Sequence, residues 1–157
     1  MQNKNRLSLI IWIVALIVIG SVIGSLTKPE IGSWYSALNR ARLTPPNYVF
    51  PVAWTILYGV IGACGWFIWR DLSFPKLTVI KTLYVTQLIL NWSWTPLFFH
   101  YHFTGLSLVV LGLMDILVCA LICIAYRRMR AVSLLMIPYL SWILFATYLN
   151  FYIWWYN

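Results

Sequence analysis

Residues 105–126 read GLSLVVLGLMDILVCALICIAY, with one charged side chain, Asp115. A bilayer core about 30 Å thick is crossed by roughly 20 consecutive apolar residues in a helix. Lipid offers no hydrogen bonds, so the backbone of such a stretch must pair internally, and the alternation that a barrel strand needs is absent. Four other stretches have the same character: 7–26, 48–69, 77–99 and 132–155. The expected fold is an all-α integral membrane protein, a five-helix bundle in a single domain over 1–157.

Composition agrees with lipid as the solvent. Apolar residues make up 62% of the 157-residue chain and charged residues 9%, against about 45–50% and 25% in soluble domains. The net charge of +8 does not read as a nucleic-acid surface. The basic residues stand at the ends of apolar runs or in the links between them, where headgroups and topology account for them. The three cysteines lie inside apolar stretches. Cys119 and Cys123 share a helix face one turn apart, a poor geometry for a disulfide, and all three read as small packing residues.

Basic residues also set an orientation. Lys4, Arg6, Arg70, Lys76, Lys81, Arg127, Arg128 and Arg130 fall on the N-terminal side, and Lys28, Arg40 and Arg42 on the other. The positive-inside rule then puts the N-terminus in the cytoplasm and the C-terminus outside. The first apolar run exceeds a signal-peptide core and ends without a cleavage-like site, so it is expected to stay as a helix. Short links are expected at Arg70–Lys76, His100–Thr104 and Arg127–Ala131. The Thr27–Asn47 link is longer. Ser33 can cap a short helix there, with Trp34, Ala37, Leu38 and Ala41 on one face, making an amphipathic lid. Pro96 and Pro138 should bend the third and fifth helices.

Ten tryptophans need placing. Interfacial belts account for Trp12, Trp66, Trp69, Trp154 and Trp155. Trp54, Trp92, Trp94 and Trp142 instead share the outer half with Asn91, Thr95 and Asn150, below Trp34 and Tyr35. Aromatic walls with a few convergent polar groups suit a small-molecule pocket, and plain helix packing remains the alternative. Asp115, alone inside a span, is either a functional acid or an assembly contact. His100 and His102 read as surface residues, with axial haem ligation a lesser alternative and no metal site expected. Gly20-Ser21-Val22-Ile23-Gly24-Ser25 holds overlapping small-xxx-small pairs that let a second backbone approach, within the bundle or across a dimer.

Three further groups of residues carry a resemblance. The first is Trp34-Tyr35-Ser36-Ala37-Leu38 with Leu43-Thr44-Pro45-Pro46 and Phe50-Pro51-Val52-Ala53-Trp54-Thr55. The second is Asn91-Trp92-Ser93-Trp94-Thr95-Pro96-Leu97-Phe98-Phe99. The third is Pro138-Tyr139-Leu140-Ser141-Trp142 with Ala146-Thr147-Tyr148-Leu149-Asn150-Phe151. In this order they resemble the WY-x-x-L, TPP, W-x-x-x-Y, N-x-x-W-T-P-x-F-F and P-Y-x-x-W…L-N signatures of the TspO/MBR family, over essentially the whole chain. The resemblance implies a five-helix bundle, often a homodimer, that binds flat hydrophobic ligands beneath the first loop: protoporphyrin IX, haem, isoquinoline-carboxamide and benzodiazepine-type compounds. It implies a pocket built from Tyr35, Pro45, Trp54, Tyr58, Asn91, Trp94, Trp142 and Ala146, with Trp34 and Leu38 on the lid, and an acid at Asp115. Vertebrate-type members carry a basic residue after the last aromatic stretch. Trp154-Trp155-Tyr156-Asn157 has none, which favours a bacterial-type porphyrin role over cholesterol.

Three function classes follow from the resemblance. A receptor or sensor in a bacterial cell membrane, needing no cofactor and binding porphyrin or haem as ligand, is favoured. A porphyrin-degrading enzyme would use Trp54 and Trp142 for electron or radical chemistry, though no redox-cofactor motif supports turnover. A transporter would use Asp115, without the two-fold repeat common in such folds. Membrane lipid is an expected partner and nucleic acid is not.

Overall fold

The computed structural model describes residues 2–70 and 75–157, so the middle of the Arg70–Lys76 link lies outside the described residues. Five long helices follow the five apolar stretches. They are α1 (Gln2–Leu26), α4 (Val49–Arg70), α5 (Leu77–Thr95), α6 (Thr104–Ala125) and α7 (Arg130–Tyr156). Two short helices, α2 (Lys28–Gly32) and α3 (Trp34–Ala37), lie in the long first link. No strand occurs among the described residues. Four of the long helices (α1, α4, α6 and α7) are apolar and long enough to cross a membrane. α5 carries Lys81, Gln87 and Asn91 and is the least apolar of the five.

α6 packs on α7 and on α5, α4 on α1 and on α7. Lipid does not drive apolar helices together, so close fit and interhelical hydrogen bonds must hold the bundle. Ile61, Leu111, Met114, Met136, Tyr139 and Ile143 fill its centre. Gly62 permits the α1–α4 contact, since a Cβ there would come within 2.8 Å of the Ile13 Cα and 2.9 Å of the Trp12 carbonyl oxygen. Of the small-residue run in α1, Gly20 lies against the Tyr58 ring, a contact within the chain. The remaining faces of α1 are exposed, including Ile10, Val14, Val18 and Val22, as suits a lipid-facing helix at the bundle edge.

The proline helices differ in how they proceed. α5 passes at Pro96 into a single π turn, Pro96–His100, closed by the Tyr101 N–H donating to the Pro96 carbonyl at 3.0 Å. That wider turn carries Phe98 and Phe99 onto the inner side of the bundle; such turns often mark functional sites. α7 runs without interruption through Pro138.

The first link corrects one expectation. A single helix carrying the Trp34/Ala37/Leu38/Ala41 stripe does not form: α3 stops at Ala37, and Leu38 is extended at φ −75°, ψ 149°. Ser33 precedes α3, but its hydroxyl donates back to the Pro29 carbonyl instead of accepting at the helix start. The physical reason lies at the other end of the chain. The Asn39 N–H, which a continuing helix would direct at the Tyr35 carbonyl, donates to the Asn157 side-chain oxygen at 2.9 Å. Asn157 in turn donates to the Asn39 carbonyl at 3.2 Å. Trp34, Leu38 and Ala41 turn inward while Ala37 stays exposed.

Candidate functional site

Where α1, α5 and α7 end and α4 begins, the helices do not close on one another. They leave a cavity of ≈ 360 Å³, within the range of about 300–1,000 Å³ for small-molecule sites. α1 contributes Gly20 and Gly24, positions without side chains that keep this wall thin. α4 contributes Phe50, Trp54 and Tyr58, α5 contributes Trp94, the π turn after it contributes Phe98 and Phe99, and α7 contributes Ala146 and Leu149. Ile31 and Tyr35 line it from the first link.

The aromatic side chains form a continuous surface. Trp54 lies 5.7 Å from Tyr58 and 6.4 Å from Trp94, both tilted by little more than 30°, and Trp94 stacks on Phe98 at 5.5 Å and 20°. Ring pairs at these spacings are mutually favourable, and together they give the cavity an aromatic wall.

Hydrogen bonds behind this wall hold the Trp94 and Tyr58 rings in place. The Trp94 indole N–H donates to the Asn150 side-chain oxygen at 3.1 Å, which also accepts from the Ser107 hydroxyl at 2.9 Å. Asn150 donates to the Thr104 carbonyl at 2.8 Å, so α5, α6 and α7 meet at one amide. The Tyr58 hydroxyl donates to Asn91 Oδ1 at 2.6 Å, and Asn91 Nδ2 donates to the Tyr139 oxygen at 3.0 Å. Tyr139 donates onward to Gln87 Oε1 at 2.8 Å. Polar groups enclosed this far from water are costly unless paired, so the chain ties α4, α5 and α7 in one register.

Tyr35, Trp54, Tyr58, Trp94 and Ala146, five of the eight pocket residues that the resemblance implied, are brought round this cavity. Asn91 lies one layer behind, holding Tyr58. Trp142 does not line the cavity: its ring stands 6.2 Å edge-on to Phe50, which does, and 5.9 Å from Phe145. Pro45 and Leu38 border a separate, polar surface hollow with Asn39 and Arg40. Trp34 stacks on the His102 ring at 4.0 Å and 16°. His102 Nε2 stands 3.4 Å from a Glu30 carboxylate oxygen, tying the link to the turn after α5. Burial pushes the Tyr35 phenol up, and the Arg40 guanidinium beside it pulls it part of the way back. Asp115 Oδ2 accepts from the Thr147 hydroxyl at 2.8 Å, an α6–α7 contact outside the cavity. Among the described residues no three His, Cys, Asp or Glu side chains converge on a metal site.

Residues that position reasoning passed over include Phe50, Ile31 and the Gln87–Tyr139 pair. Gln87 carried a readable signal, a polar side chain within an apolar run. Phe50 stood only within a quoted signature stretch, and Ile31 carried no signal, since nothing local distinguishes it from its neighbours.

The TspO/MBR family model matches residues 12–156. The Tryptophan-rich protein TspO of Archaeoglobus fulgidus is 38% identical over 147 residues, covering 94% of this chain and 95% of its own. The Translocator protein of Homo sapiens is 34% identical over 123 residues, with 77% and 73% covered. The Tryptophan-rich sensory protein of Cereibacter sphaeroides is 34% identical over 128 residues, with 82% and 78% covered. A family match along nearly the whole chain, on a helical architecture apolar enough to cross a bilayer, has one meaning: this membrane protein belongs to the TspO/MBR family.

Proposed function

We propose that the protein is a membrane receptor for porphyrin-type ligands, protoporphyrin IX or haem, held flat against the Trp54–Trp94–Phe98 wall. The observation that carries this reading is the run of aromatic side chains, Trp54, Tyr58, Trp94 and Phe98, lining one open cavity in the apolar part of the bundle. A macrocycle buries its faces on such a wall, and base-type aromatic stacking contributes about 1–3 kcal/mol per contact. In this reading all five long helices span the membrane, α5 included, because it is flanked by α6 and α4 and its polar residues Gln87 and Asn91 point into the bundle. The N-terminus is cytoplasmic, the α2–α3 segment closes over the cavity as a lid, and the chain works as a homodimer in a multi-pass membrane setting.

The test is a titration of purified protein with protoporphyrin IX in darkness, following tryptophan fluorescence. Saturable quenching is expected, weakened by Trp54→Ala and Trp94→Ala and much less by Trp142→Ala, which lies off the cavity. Unsaturable quenching, or equal losses in all three variants, overturns the reading. Repeating the titration in light and following porphyrin absorbance separates binding from degradation.

A further inference from the structure

The cavity wall is largely apolar and aromatic with some neutral polar groups, and a single charged residue, Lys28, lies on it at the mouth. Lys28 opens α2, and its side chain is exposed at the rim. Among the described residues no carboxylate stands within ion-pair distance of it: Glu30 faces His102, and Asp115 is bonded to Thr147 on the α6–α7 side.

Several of the neutral polar groups of the wall are committed elsewhere. Tyr58 and Trp94 donate backward to Asn91 and Asn150. The Ser25, Thr27 and Thr55 hydroxyls donate to the carbonyls of Val22, Gly24 and Pro51. The wall therefore offers stacking faces and a few neutral donors, such as the Trp54 indole N–H and the Ser21 and Thr95 hydroxyls, while the rim offers the one cationic donor, an ammonium.

We infer that Lys28 is the anchor for a carboxylate, so that the cavity selects flat amphiphilic acids over their neutral counterparts. This rests on the ligand-binding reading above and adds the chemical class of the ligand and the residue that recognises it. Burying a carboxylate against the aromatic floor is costly, whereas at the rim it keeps water and gains a cation. The ring system then has one orientation, with its apolar edge inward and its acid outward. Because Lys28 is exposed, the preference is modest, roughly 2- to 5-fold in affinity. The competing use of Lys28 is to reach a lipid phosphate from the interface.

The test compares protoporphyrin IX with its dimethyl ester, by tryptophan quenching, on the full chain in phosphatidylcholine nanodiscs. The acid is expected to bind more tightly than the ester, with the preference shrinking at high salt. Lys28→Gln removes the preference, Lys28→Arg retains it and Lys28→Glu reverses it. Reading the acid-to-ester ratio within each variant cancels differences in folded fraction. Saturable binding of both compounds with a ratio near unity in the native chain, or a ratio unchanged in Lys28→Gln, overturns the anchor and leaves the receptor reading standing. A ratio near unity is also what pairing of Lys28 with lipid phosphate gives. No saturable binding of either compound overturns both.

Discussion

Replacing Asn91 by alanine tests whether the hidden polar chain sets the cavity. Asn91 accepts from Tyr58 on α4 at 2.6 Å and donates to Tyr139 on α7 at 3.0 Å, so the substitution removes two interhelical bonds at once. Interhelical hydrogen bonds in membrane proteins average about 0.6 kcal/mol and reach about 1.7 kcal/mol, so two contribute roughly 1–3 kcal/mol. Tyr58 is left without its acceptor, while Tyr139 still donates to Gln87 at 2.8 Å. With the small void included, Asn91→Ala should cost about 2–4 kcal/mol. The assay is SDS-induced unfolding in mixed micelles, monitored by circular dichroism. Tyr58→Phe should cost about 0.6–1.7 kcal/mol, and the double variant should cost less than the two single losses added, because the bond they share can be lost only once. A loss below about 0.5 kcal/mol for Asn91→Ala, or strict additivity in the double variant, would refute the reasoning.

Three other outcomes follow. Gly62→Val should force α1 from α4 and destabilise the protein by about 1–3 kcal/mol, whereas Gly24→Ala, whose added Cβ meets nothing within 4 Å, should be nearly silent in the same unfolding assay. Asn157→Ala removes the clamp on Asn39, so amide exchange over residues 34–41 should speed up and porphyrin release should quicken; unchanged exchange would show that the clamp does not hold the link. Cysteines introduced at positions 3 and 157 should be labelled from opposite faces of the membrane, and labelling of both from one face would remove the five-span topology.

The sequence by itself determined the fold class and the helix positions, because apolar runs of bilayer length have no other stable form in lipid. The long helices begin and end within a few residues of those runs, α1 excepted, which starts earlier at Gln2. The tryptophan grouping and the family signatures also put Trp54, Trp94 and Tyr35 at one level of the bundle, and all three line the cavity. What only the tertiary structure decided was direction. Helical spacing leaves the rotation of each helix against its neighbours open, so Trp142 read as equal to Trp54 although it points at Phe50 and Phe145. The end of α3 was equally out of reach: local propensity favours the stripe through Ala41, and it is overruled by Asn157, 118 positions away. Likewise Asn91 read as a wall residue and lies behind the wall, since only the meeting of α4, α5 and α7 shows which partner a buried amide finds.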